Sequence, residues 1–342
     1  MRYFLAMLVS VVLLLTGAAV YLNWAVERDI RIDAGSLVYN LPKGASINSL
    51  SVDLSDRGIL STPPRLFRLY ARLTRREGRL KAGEYRLEPG MTNKSLLALF
   101  RSGKVIQRQI TFVEGWTFAE WRQALAGQVG LEHTIDGMAG SDLMKALGDP
   151  GVPPEGQFFP DTYHFTRGES DMSILKRAHE RMTETLAKEW RDASDAAAFD
   201  NPYQALILAS IVEKETGYEP DRPKIARVFI NRLAKRMRLQ SDPTIIYGMK
   251  DFNGDLTRAD LSADSPYNTY VSRGLPPTPI CNPGLDSIHA TLNPAPGDYY
   301  YFVARGDGSS EFSATLEQHN KAVARFQKAG RVKDYRSAPG TK

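Results

Sequence analysis

Asn201-Pro-Tyr-Gln-Ala-Leu-Ile-Leu-Ala-Ser-Ile-Val-Glu-Lys-Glu-Thr-Gly217 carries the signals of a helix with its own start and stop. Asn201 stands at the N-cap, Pro202 at the first helical position and Gln204 at the third. Residues 205–212 are apolar nearly all round, so the helix is expected to be buried on most sides. Gly217 reads as the left-handed residue that ends it. Two carboxylates, Glu213 and Glu215, sit in the last turn, where the partial negative charge of a helix end favours Lys or Arg. Glu213 shares a face with Leu206 and Ser210 and so continues the buried helix. Burial and the helix dipole both disfavour its anion and raise its pKa, which suits a general acid toward a glycosidic oxygen. Glu215 reads equally as a solvated helix end.

Downstream, a second helix is expected from 222 or 223 to about 237, with Ile225, Val228, Phe229 and Leu233 inward. The chain then becomes rich in turns and hydrogen-bonding side chains. Residues 238–244, with Gln240, Asp242 and Thr244, lead into Ile245-Ile-Tyr247-Gly248. Then come Tyr267-Asn268-Thr269-Tyr270, Gly274-Leu-Pro-Pro277 and Asn282-Pro-Gly284. Aromatics among Asn, Gln and Thr suit a polar, ring-shaped ligand such as a sugar. The candidate binding residues are therefore Glu215, Gln240, Asp242, Thr244, Tyr247, Tyr267, Asn268, Thr269 and Tyr270. Residues 299–303 and 311–313 read as closing strands before a last helix near Glu317.

Upstream, a turn-rich boundary lies near 148–155, followed by an amphipathic helix over 171–190 with Ile174, Leu175, Ala178, Met182 and Leu186 on one face. Within it, Ser173-Ile-Leu-Lys176 has the Ser-x-x-Lys spacing of penicillin-binding proteins. The companion Ser-Asp-Asn and Lys-Thr-Gly motifs do not occur, and the match reads as chance. Serine-hydrolase, zinc-peptidase and phosphate-loop signatures are equally missing from the sequence.

A weak repeat organises the first third. Leu41-Pro-Lys-Gly44-Ala-Ser46 recurs as Leu87-Glu-Pro-Gly90-Met-Thr92 and as Val113-Glu-Gly115-Trp-Thr117. Each copy follows a strand-like stretch, and its Ser or Thr is placed to cap a helix. This is a small α+β unit, read either as a carbohydrate-binding module of the LysM type or as a spacer.

At the N-terminus, no residue from Tyr3 to Val26 is charged, a run long enough for the roughly 20 residues of a membrane span. Arg2 precedes it and Trp24 suits an interfacial anchor, so residues 1–26 read as a cytoplasmic tip and a retained single-pass helix, with the bulk outside the cytoplasm. A cleaved signal peptide is the alternative, with Gly17-Ala-Ala19 as the cleavage site.

The remaining composition is mostly exclusion. Lys plus Arg number 44 against 39 Asp plus Glu, a net +5 too mild to favour nucleic acid. One cysteine, Cys281, excludes an internal disulfide, and five scattered histidines argue against a metal. No cofactor is expected.

The motifs together resemble the YceG-like endolytic murein transglycosylases, the MltG family. Leu208-Ala-Ser-Ile-Val-Glu213-Lys-Glu-Thr, Val228-Phe-Ile-Asn-Arg-Leu233 and Met237-Arg-Leu-Gln-Ser-Asp-Pro-Thr-Ile-Ile-Tyr-Gly248 carry the likeness. Ser265-Pro-Tyr-Asn-Thr-Tyr270, Gly274-Leu-Pro-Pro277 and Glu155-Gly-Gln-Phe-Phe-Pro-Asp-Thr-Tyr163 extend it. Cys281 departs from the pattern. The resemblance implies an α+β chain: an inner-membrane helix, a LysM-like subdomain over 30–107 and a mixed α/β catalytic domain over 108–335. It implies an enzyme, a lyase with no metal and no cofactor, whose bulk lies in the bacterial periplasm. Such an enzyme cleaves nascent peptidoglycan strands beside the peptidoglycan synthases (penicillin-binding proteins) and leaves 1,6-anhydro ends. The resemblance sets Glu213 at the position of the catalytic glutamate. The rival functions are a hydrolase pairing Glu213 with Asp242 or Glu219, and a cell-wall binder without activity.

Overall fold

The uncharged N-terminal run forms one helix, α1 (Arg2–Val26), in the computed structural model, which describes residues 1–32, 35–74, 80–249, 251–252 and 254–329. The expected domain end at 335 lies outside the described residues. Residues 2–21 of α1 are exposed throughout, whereas Leu22, Ala25 and Val26 are buried. By length and composition α1 can cross a membrane, a property that a signal sequence shares.

The chain divides into two compact units, Met1–Gln109 with His164–Glu169 and Ile110–Tyr163 with the described part of Ser170–Lys342. In the first, β1 (Leu37–Leu41) is followed by α2 (Ile47–Asp56), α3 (Pro64–Leu73), β2 (Gly83–Leu87) and α4 (Asn93–Ser102). β1 and β2 pair antiparallel with Tyr39 opposite Tyr85 and Leu41 opposite Gly83. Alternation along the strands sends Tyr39, Leu41, Tyr85 and Leu87 into one core with Leu50, Leu54, Phe67 and Phe100, joined by Leu22 and Val26 of α1. The repeat is physical. Gly44, Gly90 and Gly115 all adopt left-handed φ, between +77° and +83°, which frees the next hydroxyl residue to cap. Ser46 and Thr92 cap α2 and α4 in reciprocal capping boxes. The third copy lies in the second unit, where Thr117 caps α5 (Phe118–Ala126) in the same way.

β3 (Arg108–Thr111) precedes α5 in the chain; α6 (Gly140–Leu147), β4 (Thr162–Phe165) and α7 (Asp171–Arg191) follow it. The second unit is built round α8 (Pro202–Glu215). The Asn201 side chain accepts the Gln204 N–H at 3.0 Å, and every residue from Ala205 to Val212 is buried. α8 packs against α7, α9 (Arg222–Ala234), α10 (Asp242–Gly248) and α12 (Leu285–Leu292). Its Leu206, Leu208, Ile211 and Val212 meet Ile225, Phe229, Ile288 and Leu292, and each such burial contributes about 1.5–3 kcal/mol. α11 (Arg258–Ser262) lies between α10 and α12 in sequence. β5 (Tyr301–Ala304), β6 (Ser310–Ser313) and α13 (Leu316–Val323) follow, with β5 and β6 antiparallel, and a π-helical turn over Ala324–Ala329 continues α13.

Three local expectations change. α8 does not end on a left-handed Gly217: Thr216 leaves the helix extended, at φ −150° and ψ 134°, and its hydroxyl accepts the Tyr218 N–H at 3.0 Å. α9 stops at Ala234, because Arg236 takes φ 54° and turns the Met237 N–H back onto the Arg232 carbonyl at 2.8 Å. Residues 242–248, read among the loops, form a helix with Pro243 in its first turn, where proline is suited.

Candidate active site

The end of α8 sends Glu213 and Glu215 to two different walls. Glu213 Oε2 accepts the Gly284 N–H at 2.9 Å, and its Oε1 lies 3.4 Å from Arg222 Nη2. Both side chains are nearly sealed, at 6% and 8% exposure, and Arg222 reaches Asp286 at 3.3 Å with its other nitrogen. Glu114, from the third repeat turn, stands beside them. A Cβ on Gly284 would lie 2.0 Å from Glu114 Oε1, so a larger residue there would displace the end of the Glu114 side chain. Burial and the Glu213 carboxylate both push Glu114 above the ordinary carboxyl range. The loops around this wall are bonded to α8 and to each other. Lys214 Nζ donates to the Gly115 carbonyl at 3.3 Å, Ser210 Oγ accepts the Ile280 N–H at 3.0 Å, and Asn282 Nδ2 donates to the Trp116 carbonyl at 3.1 Å.

Glu215 faces the other wall. Its Oε1 accepts the Ser241 hydroxyl at 2.5 Å, at the start of α10. Burial raises its pKa to about 7, helped by the Asp242 charge and opposed by the Ser241 hydrogen bond and by Arg232. Around it the residues singled out by sequence converge. Tyr270 donates to Asp242 Oδ1 at 2.6 Å, and Thr269 accepts the Ser241 N–H at 3.0 Å through its hydroxyl. Gln240 donates its backbone N–H to the Thr269 carbonyl at 3.1 Å. Its side chain is exposed and its φ is 52°, a left-handed setting that costs a non-glycine residue about 1–2 kcal/mol. Such strain gathers at functional positions.

The named residues divide by exposure. Thr244, Asn268 and Thr269 are buried at 0%, 0% and 2%, and Thr244 and Thr269 bond each other at 2.9 Å. Thr244 donates to the Ser241 carbonyl at 2.7 Å, and Asn268 Nδ2 reaches the Asp260, Leu261 and Ala263 carbonyls. They hold the wall in place. Gln240 and Asp242 are exposed, while Glu215, Tyr247, Tyr267 and Tyr270 are part-buried.

A further buried carboxyl, Glu155, was not singled out by sequence. Glu155 accepts the Phe118 N–H and the Tyr247 hydroxyl, both at 3.0 Å. Burial raises it to about 7. The Tyr247 and Tyr267 rings meet edge to face at 4.9 Å, and the Tyr267 hydroxyl bonds Thr278 at 2.9 Å. Arg222, Ser241 and Glu114 were missed as well. Arg222 looked like the plain start of a helix, and Glu114 like a turn of the repeat. Only Glu155 had a signal, since it opens the quoted Glu-Gly-Gln-Phe-Phe-Pro-Asp motif.

The whole arrangement falls within a stretch that matches the model of the YceG-like family over residues 39–325. The chain belongs to the YceG-like family. An endolytic murein transglycosylase of Bacillus subtilis is 30% identical over 92% of this chain and 91% of its own length. A Streptococcus pneumoniae protein of the same name is 28% identical over 94% of this chain, which spans 64% of that relative. A 2.6 Å crystal structure of a yceG-like protein from Listeria monocytogenes aligns with a TM-score of 0.55 at 33% identity. That alignment covers 84% of this chain and 98% of the other.

Proposed function

We propose that this chain is a membrane-anchored endolytic murein transglycosylase in which Glu215 is the proton carrier. The names of the Bacillus and Streptococcus relatives support the reaction class. The observation that carries the assignment is the contrast between the two α8 carboxyls. Glu213 is tied to a guanidinium and a backbone N–H, whereas Glu215 has a pKa near 7 beside exposed Gln240 and Asp242. A carboxyl partly protonated at neutral pH can donate, and its anion can take a proton back.

In the reaction, the Glu215 proton goes to the oxygen between N-acetylmuramic acid and N-acetylglucosamine as the bond to C1 breaks. The muramoyl C6 hydroxyl bonds C1, and its proton returns to Glu215. The 1,6-anhydro end forms and no water is consumed. One carboxyl suffices, whereas hydrolysis generally needs a second to activate water or act as nucleophile. Asp242, Tyr270, Tyr247 and Tyr267 are the candidates to hold the sugars; Thr244, Asn268 and Thr269 position them.

The first unit, with its strand–helix–helix–strand order, is taken as LysM-like. α1 is taken as an inner-membrane anchor with its N-terminus cytoplasmic and the bulk in the periplasm, beside peptidoglycan synthases. Mass spectrometry of digested nascent glycan tests the reaction: internal cuts with anhydro ends are expected. Reducing ends would make the chain a hydrolase, and uncut strands a binder. A second reading keeps Glu213 as the acid, the position the motif resemblance points to; its favouring observation is near-complete burial beside Glu114.

A further inference from the structure

The exposed part of α1 runs from Arg2 to Tyr21, 20 residues or about 30 Å, the thickness of a hydrocarbon core. Beyond it α1 enters the first unit, and the element packed on its last turns is α3. Phe67, Tyr70 and Ala71 of α3 share a core with Leu22 and Val26 of α1. The opposite face of α3 has a different character. At about 100° per residue, Arg68, Arg72, Arg65, Leu69 and Leu73 follow one another round one side. Leu69 and Leu73 are 45% and 67% exposed, and Arg65 and Arg72 are exposed as well. No acidic residue occurs in α3. On α1 itself, one turn past the exposed run, Trp24 is 58% exposed with the Arg28 guanidinium 5.5 Å above its ring, an arrangement suited to the headgroup layer.

We propose that α3 lies against the bilayer surface where α1 leaves it. Leu69 and Leu73 enter the boundary between headgroups and acyl chains, and Arg65 and Arg72 meet anionic lipid headgroups. The proposal rests on α1 being a retained anchor. A basic amphipathic helix is the form that settles in this layer, and here it is continuous with an apolar helix of spanning length. The lipid contact would fix the first unit against the membrane rather than leave it turning on a single helix.

The test uses the full chain in vesicles of phosphatidylcholine, with and without phosphatidylglycerol. A nitroxide is placed at Leu69→Cys, at Leu73→Cys, at Leu14→Cys inside α1, or at Leu316→Cys as an exposed control. Cys281 stays in place, since it is fully buried. Collision with lipid-soluble oxygen is compared with collision with a water-soluble nickel chelate. A several-fold higher oxygen-to-nickel ratio at 69 and 73 than at 316 is expected in anionic vesicles. Arg65→Gln with Arg72→Gln should bring it back toward the control. Oxygen access at 14 with water access at 69 and 73 overturns the proposal while leaving the anchor intact. Water access at 14 removes the anchor and the proposal with it. Spin–spin broadening at 69 that disappears on dilution with unlabelled chain shows a second copy covering the face, and also overturns it.

Discussion

Glu213 and Glu215, two residues apart on α8, are held by opposite walls: Glu213 by Arg222 and the Gly284 N–H, Glu215 by the Ser241 hydroxyl. Two steps along a helix turn a side chain by about 200°, so the pair separates without any break in the backbone. One carboxyl is locked as an ion-pair partner. The other is left with a pKa near neutrality.

Glu215→Gln is therefore expected to lower cleavage by at least about 10²–10⁴-fold, the range of general acid–base contributions, with the fold kept and no loss of stability at neutral pH. Glu213→Gln removes one partner of a buried pair and should cost stability, toward the lower end of about 3–5 kcal/mol because Asp286 still faces Arg222. Thermal melting and anhydro-product yield, measured on both variants, separate the roles. A stable, inactive Glu213→Gln beside an active Glu215→Gln reverses the assignment.

The pH dependence of kcat/KM follows from Glu215. An acid must hold its proton before it donates, so the rate should be level below about 7 and fall about tenfold per unit above it. The Ser241 hydroxyl favours the carboxylate and lowers the pKa, so Ser241→Ala should move the falling limb to higher pH. A limb that stays in place would detach Ser241 from the titrating group.

Glu155 gives a stability signature. Its folded value is near 7 against an ordinary 4.5, so the native state holds its proton longer than the unfolded chain. The contribution is fully present below about 4.5 and is lost as pH rises through about 7, a difference on the order of 3 kcal/mol. Glu155→Gln should flatten this part of the stability–pH curve in urea titrations. An unchanged slope would mean that burial does not set its titration.

Gln240 combines strain and exposure. Gln240→Gly relieves a left-handed φ of 52° and should raise stability by about 1–2 kcal/mol while lowering turnover through the lost side chain. Gln240→Ala should lower turnover equally and give no such gain. Full activity in both variants would leave the side chain without a part in the site.

Much of this was legible in the chain itself. The uncharged run to Val26, the buried body of α8 from Ala205 to Val212 and the three hydroxyl caps are local matters. Hydropathy period, N-cap chemistry and the Gly-x-Ser/Thr turn act within a few residues, and the same residues form those elements in the fold. The motifs also pointed to the family. They singled out Glu213 over Glu215 by its helix face and its place in the motif, but they could not show the partners of either carboxyl. Arg222 comes from the next helix, Gly284 from a loop 71 residues on, and Ser241 from a third segment. Burial, ion pairing and hydrogen bonding set a carboxyl's protonation, and all three are supplied by residues distant in sequence. The Glu155–Tyr247 bond spans 92 residues for the same reason. Sequence determined which carboxyls could act, and only tertiary packing supplied the partners that make their surroundings differ.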